Sequence, residues 1–194
     1  RKISFGGMFD HVDGGFARYS TDAIWKVPHF EKMLYDNAQL MELYSELFSL
    51  NGEKEYENVV EKTFKWLKAE LKTNYGSYRC AQDADSEGEE GAFYCWTDQE
   101  LRAILKNDFE WFSSYFGISN SKKWESDKYI LYKNMSLSEF ASIRGWSIDE
   151  FQQKLENTLH LLSVKRSERK KPEIDTKSLT SWNALLIKAL IKSY

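Results

Sequence analysis

The sequence predicts an all-α protein in which broadly apolar inner helices alternate with amphipathic outer ones through antiparallel hairpins, as in part of an α/α barrel or toroid. Three observations carry this. Between Phe30 and Leu50, residues such as Met33, Leu34, Ala38, Met41, Tyr44 and Phe48 cover most of a helical circumference, which calls for burial on several sides. Over 53–73, Tyr56, Val59, Val60, Phe64, Leu67 and Leu71 instead form one stripe among Glu and Lys, the pattern of a helix with one wet face. The contrast returns near the C-terminus. There, Ile148, Phe151, Leu155, Leu159 and Leu162 make a stripe, and Trp182, 184–187 and 189–191 are apolar nearly all round. A flat helical solenoid produces a similar pattern.

Taken in order, residues 1–27 read as loop, because Gly6-Gly7 and Gly14-Gly15 bracket Asp10, His11 and Asp13. Pro28 suits the first turn of the helix that follows, where a missing N–H is no loss. Three capping boxes, Thr97-x-x-Glu100, Ser136-x-x-Glu139 and Ser147-x-x-Glu150, predict helix starts near 98, 137 and 148. Between the first two helices and the third, 76–80 and 92–96 flank the acidic run Asp83 to Gly91, which reads as a β-hairpin with an acidic tip. A second short strand is expected at 128–132.

Composition narrows the function classes. A chain of 194 residues with 42% hydrophobic and 29% charged residues can bury a sizeable core. Its formal charge of -3 is well mixed along the chain, so no basic face points to nucleic acid or anionic lipid. No apolar run reaches the ~20 residues of a membrane span, and the N-terminus does not read as a signal peptide. A cytoplasmic protein is expected. Cys80 and Cys95 would face each other across the hairpin, but without C-x-x-C spacing two free thiols are expected, with neither a redox pair nor a zinc site. The chain starts without Met and stops at Tyr194 inside an apolar helical pattern, so it reads as part of something longer.

The candidate chemistry lies in the loops. His29 and Glu31 fall at the predicted helix start, where free N–H groups favour anions and carboxylates. Asp36 and Asn37 are polar on an otherwise buried helix, so they either brace loops or line a cavity. Asp83-x-Asp85-x-Glu87-Gly88 imitates the opening of a calcium loop, but its twelfth position is Tyr94 rather than Glu. No metal or other cofactor is therefore expected. Asp83 and Asp85 are instead candidates for a carboxylate acid and base, and His29 and Glu31 are catalytic candidates as a ligand-facing pair. The aromatic residues Tyr19, Trp25, Tyr35, Trp96 and Trp182 near the same rim suit stacking on sugar rings, although most aromatics in a helical domain are core. Epimerisation would call on His11 and His29, since His160 sits on the outer stripe as a structural residue. Arg18 and Asn183 complete the expected pocket, whose partner is a sugar-like small molecule.

Three stretches, Val27 to Ala38, Asp83 to Thr97, and Pro172 with Asp175 to Asn183, together with Gly14-Gly15-Phe16-x-Arg18-Tyr19-Ser20, resemble the thioredoxin-domain-containing family typified by spermatogenesis-associated protein 20 and its bacterial relatives. Ala184 and Thr176 depart from that family's commoner Gly and Asp. The resemblance implies an (α/α)6 barrel similar to six-hairpin glycosidases and N-acylglucosamine 2-epimerases. Residues 1–194 would form part of that one domain, without the family's N-terminal thioredoxin-like domain. It leaves the reaction undefined. A carbohydrate-active or carbohydrate-binding pocket is the leading expectation. Its rivals are a non-catalytic interaction module, and a redox-linked protein whose chemistry lies in the missing domain.

Overall fold

The computed structural model describes residues 1–120 and 123–194, and it is mainly helical with short antiparallel strand pairs. After α1 (Lys2–Phe5), the loop through the glycine pairs leads to β1 (Tyr19–Ser20), which pairs with β2 (Pro28–His29). Next come β3 (Lys32–Met33), α2 (Leu34–Asn51) and α3 (Lys54–Trp66), the last running on into a π-helical turn, Leu67–Leu71. The α2–α3 hairpin turns at Gly52, whose φ of 68° lies in the left-handed region that caps helices. Three two-residue strands follow, β4 (Ala81–Gln82), β5 (Asp85–Ser86) and β6 (Glu89–Glu90), and then β7 (Trp96–Thr97). The rest comprises α4 (Asp98–Leu105), α5 (Phe109–Tyr115), β8 (Lys128–Tyr129), α6 (Leu137–Arg144), α7 (Ile148–Arg166), β9 (Ile174–Asp175) and α8 (Thr180–Ser193).

Of the four hydrophobic clusters among the described residues, two between them draw on all the helices after α1. In one, Leu34, Ala38 and Met41 of α2 pack with Trp66 and Leu67 on one side and with Leu186 and Ala189 of α8 on the other. The ion pairs Glu42–Lys188 and Glu46–Lys192 ascend both helices together, so α2 and α8 run parallel, as neighbouring inner helices do. The other centre is aromatic. Trp111, Tyr115, Phe140 and Phe151 meet at ring separations between 5.0 and 5.5 Å, two of the four pairs edge-on and two tilted. Local capping agrees with the sequence: Thr97 and Ser136 form reciprocal boxes with Glu100 and Glu139, and the Glu150 N–H donates to Ser147.

The strands depart from expectation. Segments 76–80 and 92–96 do not pair with each other. Instead β4 lies between β3 and β9, with Lys32 opposite Gln82 and Ala81 opposite Asp175. The acidic hairpin is confined to β5 and β6, joined by Glu87 and Gly88 at φ 57° and 81°, the left-handed pair of a tight two-residue turn. Trp96 pairs with Tyr129. Cys80 and Cys95 are free, buried thiols. Pro28 sits in β2, and the helix begins six residues later, after Met33. His29 and Glu31 therefore precede the helix, and Asp36 occupies its first turn. No described helix is long and apolar enough to cross a membrane.

Candidate functional site

The sheet β3-β4-β9 carries the geometry of the site, because it fastens together the three loop regions that hold the long motifs. The β5–β6 hairpin follows directly from β4. It places Glu90 so that its carboxylate accepts from His29 Nδ1 at 2.8 Å and from the Phe30 N–H at 3.3 Å. A Cβ at Gly91 would meet the Phe30 ring at 2.5 Å, so this close approach needs glycine. Asp85, directly opposite Glu90 in the hairpin, is thereby held at the same end of the molecule as His29.

Around His29 the rim builds outward. Its ring stacks on Tyr19 at 5.0 Å, and its Nε2 lies 3.7 Å from Glu31. Arg18 donates to the Glu31 carboxylate at 3.3 Å and lies beside the Tyr35 hydroxyl. Tyr35 touches Trp182 edge-on at 4.8 Å, which brings the start of α8 to the same place. Asp36 completes the group. Its Oδ2 is buried without a hydrogen-bond partner among the described residues. Burial, reinforced by the charge of Glu31, raises its pKa above the usual carboxylate range, against the opposing pull of Arg18 and Tyr35. The structure thus brings together Arg18, Tyr19, His29, Glu31, Asp36 and Trp182, and it adds Glu90, which the sequence showed only as one acid among several.

Other expected site residues are placed elsewhere. Asn37 is fully buried, accepts from the Phe16 N–H at 2.7 Å and donates to the carbonyls of Phe16 and Met33 at 2.9 Å each. Asn183 does the same to Tyr78, accepting from its N–H at 2.8 Å and donating to its carbonyl at 3.0 Å. Each is the fourth residue of an inner helix clamping one loop residue. His11 is buried between Phe9 and Phe116, with Nε2 at 3.1 Å from the carbonyls of Phe5 and Gly6, so it does not join His29. Desolvation, helped by Lys133 and Lys62, pushes its pKa down to about 3. Trp96 is core, under the Arg169 guanidinium at 4.1 Å. Trp25 works through its backbone at φ 65°, its carbonyl accepting from the Gly7 N–H. Asp83 turns back on its own loop, accepting from the Ala84 N–H at 2.6 Å. No group of three or more His, Cys, Asp or Glu among the described residues could hold a metal ion.

A second polar centre was not legible in advance. Glu31 and Lys32 are consecutive and point opposite ways. Lys32 is fully buried, its ammonium donating to Asp10 at 2.9 Å and to the Gly14 carbonyl at 2.8 Å. Arg166, also buried, forks onto Asp10 at 3.0 and 2.8 Å and reaches Asp13 at 2.6 Å. Although burial alone would raise the Asp10 pKa, Arg166 and Lys32 hold it far below the usual range. The only sequence signal is Asp-x-x-Asp beside a glycine pair, a pattern with many other uses.

No family model matches the chain. It is 34% identical over 212 aligned positions to human spermatogenesis-associated protein 20 and 32% to the mouse protein, in each case covering 96% of this chain. An uncharacterised Caenorhabditis elegans protein is 30% identical over 97% of the chain. The chain spans 27% of the human and mouse proteins and 29% of the nematode one. Among solved structures, a family 76 glycoside hydrolase from a bovine Bacteroides thetaiotaomicron strain aligns over 96% of this chain and 35% of its own, at 11% identity and a TM-score of 0.38.

Proposed function

We propose that the rim formed by Tyr19, His29, Glu31, Tyr35, Asp36 and Trp182 is a carbohydrate pocket, with Asp36 as proton donor and Glu31 as the charged carboxylate beside it. The observation that carries this is the Asp36 carboxyl. A half-buried acid with a raised pKa and one unpartnered oxygen stands near a second carboxylate whose charge faces Arg18. Glycoside chemistry needs this inequality, one carboxyl carrying a proton to the leaving oxygen and one charged group supporting the developing oxocarbenium ion. Tyr19, Tyr35 and Trp182 supply flat apolar faces of the kind that sugar rings stack on. His29, with Nδ1 donating to Glu90, turns Nε2 toward Glu31.

The redox reading receives no support from this chain's thiols. Both are buried, and burial pushes Cys95 up to about 12, the opposite of an activated thiolate. The test is a binding screen of mono- and disaccharides and their uronic acids against wild type, Asp36→Asn and Glu31→Gln. A sugar that binds wild type and loses at least tenfold in affinity in both variants supports the pocket. A sugar held equally by all three proteins, or no sugar held by any, removes it.

A further inference from the structure

Behind β3, where Lys32 is buried, lies a cleft between α3 and the end of α7, with a volume of about 410 Å³. That is within the ~300–1,000 Å³ of small-molecule sites. Five lining residues are basic and three are acidic. The acids are already engaged: Asp10 by Lys32 and Arg166, Asp13 by Arg166, and Glu70 by Lys171 at 2.6 Å. Lys62 has no ion pair among the described residues, its ammonium donating only to the His11 carbonyl at 3.1 Å. Gln82, almost wholly buried, uses Oε1 to accept from Trp66 Nε1 at 3.2 Å and the Tyr94 hydroxyl at 3.1 Å. Its amide N–H groups make no hydrogen bond among the described residues. The Ser163 hydroxyl is likewise without a partner there, and it lines the same wall. Spare capacity in this cleft is thus almost all donor, under a net positive charge.

We propose that this cleft is a ligand site distinct from the rim, taking a small molecule with an oxyanion group, carboxylate or phosphate, bound by Lys62 with Gln82 and Ser163. The two fixed amide donors and the hydroxyl give direction, and Lys62 gives the charge. The aromatic floor of Trp66 and Tyr94 faces the buried Lys32 ammonium at 5.1 and 4.7 Å, so the floor is already polarised. Charge-assisted hydrogen bonds of this kind are the strong ones. Desolvation, with Lys133 next, pulls the Lys62 pKa down to about 8, against Asp10, Glu156 and Asp13. Its charge is therefore lost within an accessible pH range.

Inorganic phosphate and citrate, titrated calorimetrically with sodium chloride at matched ionic strength as control, test the site. Wild type and Glu31→Gln should bind at least one probe equally well. Lys62→Arg should retain most of that affinity, and Lys62→Met should lose at least tenfold. Binding should also weaken as pH rises past about 8. Because Glu31→Gln disables the rim but leaves this cleft intact, failure of one site is distinguishable from failure of the other. Heats no larger than chloride produces, or undiminished binding by Lys62→Met, would overturn the proposal.

Discussion

Asp36 and Asn37 are adjacent, similar in size and opposite in use. Asn37 satisfies both backbone groups of Phe16 from a fully buried position, so Asn37→Ala should cost about 2–4 kcal/mol by orphaning them. Asn183→Ala, at a partly exposed version of the same clamp, should cost roughly 1–2 kcal/mol. Chemical denaturation with unchanged slope would measure both. Asp36 should behave the other way. Its folded pKa lies above the unfolded value, so the charged form that prevails at neutral pH is disfavoured by folding. The stability linked to this group is present at low pH and lost as pH rises through the folded pKa. Asp36→Asn should therefore melt at or slightly above the wild-type temperature at pH 7 while losing sugar binding, the signature of a residue kept for function rather than stability. A clear fall in melting temperature would place Asp36 among the scaffold residues.

At the scale of elements, what could be read in advance was what is local. The helix starts at 98, 137 and 148 were legible because a capping box is closed within four residues. The inner and outer helices were legible because burial writes a period into the chain. The sheet β3-β4-β9 was not, since each strand has two residues and its partners lie far away in sequence. Lys32 and Arg166 were missed for a related reason. Arg166 lies in Lys165-Arg166-Ser167-Glu168-Arg169-Lys170, a run that reads as a solvated face, yet it is 1% exposed and ties the end of α7 to the N-terminal loop. The rim was legible as a set of motifs, whereas which of its residues clamp a loop depended on which side of each helix start faced that loop. Arg166→Met should leave Asp10 facing only Lys32 and cost about 3–5 kcal/mol. Lys165→Met, one residue earlier in an exposed pair with Glu168, should change stability by less than about 0.5 kcal/mol. Equal thermal shifts in the two variants would contradict the buried network.

For the whole molecule, these buried groups set the response to acid. His11 is neutral when folded, with a pKa near 3, against an ordinary value of 6.5. Below about 6.5 the unfolded chain takes up a proton that the folded chain does not, so stability falls with pH at up to about 1.4 kcal/mol per unit. One such group removes about 2 kcal/mol by pH 5. Asp10 acts lower. Its folded pKa is depressed far below the ordinary 3.8, so its contribution is complete above that value and drains away as pH falls below about 4. Acid unfolding should accordingly begin in the histidine range, while both partners of the Asp10–Arg166 pair are still charged, and steepen in the carboxylate range. The discriminating measurement is a series of denaturation midpoints from pH 7 to 4.5 for wild type and His11→Gln. His11→Gln keeps a donor for the Phe5 and Gly6 carbonyls but cannot titrate, so it should start less stable and then lose little between pH 6.5 and 4.5. If His11→Gln instead ran parallel to wild type across that range, the early acid sensitivity would belong to another group and the buried neutral imidazole would not be its source.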